Sequence, residues 1–102
     1  MVFRLVIKPI VLIDADEAID YYEKKLHGLG RRFYFSFLRC LEDIQSSPFS
    51  YSVIRKPVRR HLIEKFPYKV YYIVTDATIF VIGVSHAKRS NAFIKRRLRL
   101  FE

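Results

Sequence analysis

The clearest secondary-structure signal in this 102-residue chain lies at residues 68–86, which read YKVYYIVTDATIFVIGVSH. β-Branched and aromatic residues make up most of Tyr68–Thr75 and Thr78–His86, and such residues favour extended strands. Asp76 and Ala77 separate the two runs, and two residues are enough for a tight hairpin turn. The sequence therefore predicts an antiparallel β-hairpin here.

Two further strands and a loop are predicted upstream of this hairpin. Val58–Phe66 has the composition of a strand that pairs with Tyr68–Thr75, which would complete a three-stranded meander. Phe3–Ile7 is a short apolar run that ends before a Lys-Pro pair, and it predicts the first strand. Residues 49–57 have no clear period and are predicted as a loop.

Three helices are predicted in the rest of the chain. Apolar residues recur every three or four positions in residues 9–26 and again in residues 29–46, which is the period of an amphipathic helix. Gly28 and Gly30 fit the turn between these two helices. Asn91–Leu100, which is rich in Lys and Arg, predicts a short final helix.

These elements predict one α+β domain, residues 1–102, in the order β-α-α-β-β-β-α. The two long helices run in opposite directions and return the chain to the edge where it left the first strand. A meander of three strands that starts there reverses direction twice, so its last strand is antiparallel to the first. We therefore expect a two-layer, mostly antiparallel sheet with the helical hairpin on one face. The other face is expected to expose Tyr71, Ile73 and Val81. The expected core consists of Leu12, Ile19, Tyr22, Phe33, Phe37, Leu41, Val70, Tyr72, Phe80 and Ile82.

The chain is basic and has a single cysteine. Its 19 lysines and arginines exceed its 10 acids, and the net charge of +9 favours nucleic acid or an acidic protein segment as partner. Cys40 and three scattered histidines offer no metal-ligand spacing, so neither a metal nor another cofactor is expected. Without signal-peptide features, or an apolar run of about 20 residues, a cytoplasmic protein that does not enter a membrane is expected.

Four motifs, in order along the chain, resemble the RelE/ParE superfamily of bacterial toxins. Residues 16–23 (DEAIDYYE) resemble the first helix of ParE-type toxins, and residues 28–33 (GLGRRF) resemble the turn into their second helix. Residues 59–72 (RRHLIEKFPYKVYY) are similar to their arginine-containing strand and Phe-Pro-Tyr hairpin. Residues 84–89 (VSHAKR) are similar to their last strand and its histidine-x-x-arginine ending.

The resemblance implies the toxin of a type II toxin–antitoxin module, of the plasmid-stabilisation type, silenced by a cognate acidic antitoxin. RelE-like members cleave messenger RNA on the ribosome without a metal, whereas ParE-like members inhibit DNA gyrase. RelE-like nucleases use a C-terminal tyrosine near the position of Phe93, and lysines where this chain has mostly arginines. Because arginine cannot act as a base at neutral pH, the sequence favours the ParE-like branch. RNA cleavage, or a degenerate toxin that acts only as a binding module, are the alternatives.

The residues expected to contact the target or carry catalysis are cationic or titrate near neutral pH: Arg59, Arg60, Lys65, His86, Lys88 and Arg89. A guanidinium group matches phosphate oxygens in a bidentate way. The two lysines would be bases only if neighbouring cations lowered their pKa values, and the histidine can act as acid or base without such a shift. Arg89 is the first choice, since the arginine of the final motif is shared by both branches.

Other polar residues are expected to have structural roles only. His61, within a strand, is interpreted as a half-buried polar residue rather than a catalyst. Asp14 and Asp16 are explained by their position near a helix start, where the helix dipole favours acids. Arg97 is expected to belong to a solvated helical face.

Overall fold

The computed structural model describes residues 2–101, in which the chain forms five strands and three helices. Their bounds are β1 (Arg4–Ile7), α1 (Pro9–Lys25), α2 (Leu29–Ser46), β2 (Val53–Arg55), β3 (Val58–Leu62), β4 (Tyr68–Thr75), β5 (Thr78–His86) and α3 (Ala92–Arg99). The hairpin of β4 and β5 has its predicted bounds. Asp76 in its turn has φ of 55°, a left-handed conformation that aspartate tolerates better than most residues.

The strands form one sheet in the order β1-β5-β4-β3-β2, which confirms the α+β class. The predicted antiparallel pairing of the first and last strands is wrong, because β1 and β5 run parallel from Arg4 opposite Thr78 to Ile7 opposite Val81. The cause is β2, a three-residue strand inside the segment predicted as a loop. With four meander strands instead of three, the chain reverses once more and β5 arrives parallel to β1.

The helical hairpin of α1 and α2 packs on one face of the sheet and buries the larger of two apolar clusters. Five predicted core residues are buried there, and Ile19 and Tyr22 pack against them: Phe33, Phe37, Leu41, Val70 and Tyr72. The prediction for Leu12 is wrong, since its side chain is 50% exposed. The preceding residue, Val11, is fully buried in this cluster instead, together with Ala15 and Ala18.

The opposite sheet face is partly covered by α3, although it was predicted to have no helical cover. Phe93 and Ile94 of α3 pack with Val58, Tyr71 and Ile82 into a second buried cluster. Tyr71 is only 5% exposed, so the expectation that it is exposed is wrong. A basic helix can cover this face because its large apolar side chains, Phe93, Ile94 and Leu98, all pack on this side.

The register of the hairpin exchanges the predicted faces of β5. The two-residue turn places Phe80 opposite Ile73 and Val81 opposite Tyr72, and directly opposite residues share a face. Val81 therefore lies in the cluster under α1 and α2, and Phe80 and Ile82 belong to the cluster under α3. Ile82 is fully buried, as predicted, but on the α3 side of the sheet. The predictions that Phe80 is buried in the core and that Val81 is exposed are wrong, because residues 79–84 are all non-polar and show no alternation.

The corner between α1 and α2 depends on two glycines and one acid. Gly28 has φ of 88°, and a Cβ on Gly30 would lie 2.7 Å from the backbone oxygen of Ile19. The Glu23 carboxylate accepts hydrogen bonds from the backbone N–H groups of both glycines, at 3.0 and 3.1 Å. The bond from Gly28 is the main cause that lowers the pKa of Glu23. This corner fixes how closely the two helices approach.

Candidate functional site

The six predicted site residues do not form one cluster. Arg59 and Arg60 are consecutive in β3, so their side chains lie on opposite faces of the sheet. Lys65 lies in the turn between β3 and β4, where its φ is 71°. His86 ends β5, and Lys88 and Arg89 follow it directly. Only the last three are brought together.

Arg59 is held by the chain's own backbone. Its Nη1 donates hydrogen bonds to the carbonyl oxygens of Tyr51, at 2.8 Å, and Phe49, at 3.3 Å. Its guanidinium carbon also lies 5.2 Å from the centre of the Phe49 ring. These contacts fasten the segment between α2 and β2 onto the sheet, so Arg59 has a structural task in the free protein.

Arg60 lies on the sheet face that α3 covers in part. It is opposite Tyr71, and the next row of this face consists of Leu62, Lys69 and Ser85. Leu62 is exposed, and the Arg60 side chain makes no hydrogen bond or ion pair with any residue of 2–101. This part of the face carries two half-buried cations, Arg60 and Lys69, and one exposed aliphatic side chain, Leu62.

His86 and Arg89 line a recess of about 270 Å³ beside α1, which we call the β5 recess. Its other side-chain walls include Glu17, Tyr21 and Tyr68. The Tyr68 ring packs edge-on against the His86 ring, with centroids 5.4 Å apart. Burial is the main cause that raises the pKa of Tyr68, so its hydroxyl stays protonated at neutral pH. With Asp14, the recess thus combines two acids, an arginine, a histidine and two phenols.

The segment after β5 is fixed by short contacts. The Nδ1 of His86 accepts a hydrogen bond from the backbone N–H of Lys88 at 3.1 Å. An accepting Nδ1 leaves Nε2 to carry the proton of the neutral ring. The guanidinium of Arg89 lies over the Phe93 ring, 4.5 Å from its centre, while its side chain stays exposed to solvent. Arg89 is therefore oriented by α3 and available to a partner.

An ion pair that the sequence did not reveal joins α1 to α3. The Nη1 and Nη2 atoms of Arg97 each donate to an oxygen of the Asp14 carboxylate at 2.6 Å, and the two side chains are only 11% and 9% exposed. Arg97 also donates to the Ile82 carbonyl, and Asp14 accepts from the Val84 N–H. The solvated role expected for Arg97 is wrong. No local pattern shows a contact between residues 83 positions apart.

This ion pair lies where the sheet loses a strand. β1 pairs with β5 only as far as Val81, whereas β5 continues to His86. Among residues 2–101, the β5 backbone beyond Val81 has no strand partner on that side, and unpaired buried backbone groups are costly. Asp14 and Arg97 supply an acceptor and a donor there, and they hold α3 beside the β5 recess.

The remaining titratable groups near the sheet offer little chemistry. The His61 Nε2 lies 3.1 Å from an Asp43 carboxylate oxygen and its ring stacks on Tyr51, which confirms a half-buried, partnered histidine. Burial raises the pKa of the Cys40 thiol to about 12, so it is neutral and a poor nucleophile. Within residues 2–101 there is no group of three or more His, Cys, Asp or Glu side chains that could hold a metal ion. No helix in this range is long and apolar enough to cross a membrane.

No protein-family model and no curated protein sequence matches the chain. Solved structures do match it. A chain of the chromosomal ParDE toxin–antitoxin system from P. aeruginosa has a TM-score of 0.74, at 13% identity, over 83% of this chain and 96% of its own length. A free variant of the E. coli toxin RelE has a TM-score of 0.66, at 20% identity, over 94% and 98%. This chain has the RelE/ParE toxin fold.

The RelE/ParE toxin fold extends over nearly the whole chain, which confirms at the level of fold the resemblance drawn from four short motifs. A third match is the E. coli RelE variant in complex with a peptide of the antitoxin RelBc, with a TM-score of 0.58 at 19% identity. The two named residues of the histidine-x-x-arginine motif, His86 and Arg89, line the β5 recess. The arginine pair of the earlier motif is divided between the two sheet faces.

Proposed function

We propose that this chain is the toxin of a type II toxin–antitoxin pair and that it acts in the ParE-like manner, by binding a protein target, DNA gyrase. The RelE/ParE toxin fold supports the first part of the proposal. The observation that carries the second part is the position of Phe93. Its side chain is 4% exposed and lies between the guanidinium groups of Arg89 and Arg97, at 4.5 and 4.7 Å. A buried phenyl ring offers RNA neither a hydroxyl group nor a stacking surface.

The distribution of the cationic residues also favours protein binding over metal-free RNA cleavage. Cleavage needs a base, an acid and cations within reach of one phosphate group. Here Arg59 is bound to backbone carbonyls, Arg60 lies on the α3 side of the sheet, and His86 faces the recess beside α1. Arg59, Arg60 and His86 cannot converge on a single phosphate, so a phosphate could meet only the group of His86, Lys88 and Arg89. A large protein surface can contact Arg60 and Arg89 separately.

The proposed antitoxin partner would bring acidic side chains to Arg60 and Arg89. Arg59 is left out of this contact, because its side chain is hydrogen-bonded to the carbonyl oxygens of Phe49 and Tyr51. The apolar part of the contact would be the exposed Leu62 on the sheet face of Arg60. Such a partner would bind the folded chain only, and it would therefore stabilise it.

The antitoxin half of the proposal is tested by thermal unfolding of the chain with the product of the adjacent gene. At a free antitoxin concentration about 100 times its Kd, stabilisation of about 2.7 kcal/mol is expected. For a domain of this size, that corresponds to a rise in Tm of about 10 °C or more. Co-expression should also relieve growth arrest. An unchanged Tm together with unrelieved arrest would contradict the proposed pairing.

The target half is tested with two assays on the same purified protein. We expect inhibition of DNA supercoiling by gyrase, and no cleavage of messenger RNA on translating ribosomes. Cleavage without inhibition would replace the ParE-like proposal with the RelE-like one. If the protein does neither and does not arrest growth, it is a binding module that has lost toxicity.

A further inference from the structure

A cavity lies between α2 and the turn that joins β3 to β4, and we call it the aromatic groove. Its volume is about 540 Å³, and its apolar walls are formed by Tyr22, Leu29, Phe66 and Pro67. None of its lining residues lines the β5 recess. None of the side chains that the proposed function assigns to the antitoxin or the target lines it either. The groove is therefore a separate feature of the molecule.

The floor of the groove is a packed group of aromatic rings. The Phe66 ring lies edge-on to the Tyr22 ring, with centroids 4.8 Å apart, and to the buried Phe33 ring at 5.2 Å. Tyr22 in turn stacks on Phe33 at 5.5 Å. Phe35 at the margin is 54% exposed, and the guanidinium of Arg31 lies 5.4 Å from the centre of its ring. Rings held by such mutual contacts form the groove before a ligand arrives.

The groove also contains hydrogen-bond donors and positive charge. The side chains of Arg32, Lys65 and Ser36 line it. Neither of the two cations belongs to an ion pair among residues 2–101. Glu64 shares a smaller adjoining recess with Lys65, but it makes no ion pair with it. The groove therefore carries an uncompensated positive charge beside an apolar floor.

The position of Lys65 is imposed by the turn in which it lies. Its φ of 71° is a left-handed conformation, which a lysine keeps only where the surrounding structure demands it. The N–H of Phe66 donates to the Ile63 carbonyl at 3.3 Å, and the N–H of Tyr68 donates to the Phe66 carbonyl at 2.8 Å. These two bonds fix the turn on both sides of the lysine. One of the six predicted site residues is thus held at the groove, away from the other five.

We propose that the aromatic groove binds a small planar aromatic anion, with its rings on Phe66 and Phe35 and its anionic group at Arg32 and Lys65. The volume is within the range of pockets that enclose a small ligand, about 300–1,000 Å³. Aromatic pairs favour the edge-to-face and offset contacts that these walls offer. A guanidinium, an ammonium and the Ser36 hydroxyl can all donate to one carboxylate or sulfonate group. A flexible acyl anion has the same charge but loses more conformational freedom on binding, so the groove favours a rigid ring system.

This binding does not depend on the proposed function, because it requires no partner protein. It is tested by titration of the full chain with anilinonaphthalene sulfonate, an aromatic anion whose fluorescence rises in apolar surroundings. Phenylnaphthylamine, which has the same rings without the sulfonate, is the neutral control. We expect one saturable site per chain for the anion, as counted by calorimetry. The neutral analogue should bind at least about tenfold more weakly, which is about 1.4 kcal/mol.

Two variants and two matched controls locate the site. Arg32→Gln and Phe35→Ser should each weaken binding of the anion about tenfold or more. Arg60→Gln and Leu62→Ser make similar changes within the proposed antitoxin contact and outside the groove, so they should leave binding of the anion unchanged. Arg32, Phe35 and Leu62 are exposed and Arg60 is half-buried, so each variant should keep the circular dichroism spectrum of the parent protein.

Several outcomes would overturn the inference. Equal weakening by Arg32→Gln and Arg60→Gln would show that the net charge of +9 attracts the anion without a specific site. Equal affinity for the charged and neutral probes would remove the cations from the site, and unsaturable binding would exclude the site itself. Displacement of the probe by dodecanoate at a lower concentration than by naphthoate would make the ligand an acyl anion. Each of these results leaves the toxin–antitoxin proposal standing, because that proposal is tested with the product of the adjacent gene.

Discussion

Replacement of Arg97 by leucine is expected to lower the free energy of unfolding by about 3–5 kcal/mol, because it leaves the Asp14 carboxylate buried without its cation. The two groups are in bidentate contact at 2.6 Å and are almost fully shielded from solvent. Leucine keeps an apolar contact with Phe93, so the loss reports the charge and not the packing alone. For a domain with a total stability of about 5–15 kcal/mol, this is a large fraction.

The measurement is urea unfolding followed by circular dichroism at neutral pH. Arg96→Leu is the matched control, since Arg96 is an exposed neighbour in the same helix and should change stability by no more than about 0.5 kcal/mol. If both variants unfold at the same urea concentration, the ion pair between α1 and α3 contributes nothing to stability. Asp14→Asn should fall between the two, because an amide still accepts a hydrogen bond but carries no charge.

Replacement of Arg89 by alanine is expected to abolish growth arrest on induction while the protein stays folded. Under the proposed function, Arg89 contacts the target from the rim of the β5 recess. It is exposed, and its contact with the Phe93 ring is worth about 0.5–1 kcal/mol, too little to unfold the domain. Colony counts with and without inducer measure the toxicity, and circular dichroism of the purified variant reports the fold.

Arg89→Lys separates the two mechanisms, since lysine keeps the charge but not the bidentate geometry. It should be inactive if the arginine grips a phosphate group, and partly active if it meets a protein surface. Arg99→Ala removes an exposed arginine of α3 and should remain toxic. A folded Arg89→Ala protein that still arrests growth would remove Arg89 from the site, and Arg60 would become the first candidate.

The sequence was most informative where structure depends on neighbouring residues. The β4–β5 hairpin was predicted with its bounds because its turn and its strand formers are contiguous, and the helical periods of α1 and α2 were equally local. The direction of β1 relative to β5 is different, because it depends on how many strands lie between them. One missed strand of three residues, Val53–Arg55, was enough to reverse it.

The same distinction applies to the candidate site. His86, Lys88 and Arg89 are together because they are nearly consecutive, which the motif showed directly. Arg59 and Arg60 are also consecutive, yet successive side chains of a strand point to opposite faces of the sheet. That rule was enough to predict from the sequence alone that the two arginines lie on different faces. The Asp14–Arg97 pair had no such rule to reveal it, because it joins α1 and α3 across most of the chain.

The place of that pair in the sheet affects how copies of the protein behave together. A strand that runs on beyond its neighbour presents free backbone donors and acceptors, and these are a template on which a strand of another molecule can add. In β5 the Ile82 carbonyl and the Val84 N–H are already bound to side chains of the same chain. The Asp14 and Arg97 side chains thus occupy backbone groups at which a strand of a second molecule could add. We therefore expect them to protect the protein against edge-to-edge polymerisation at high concentration.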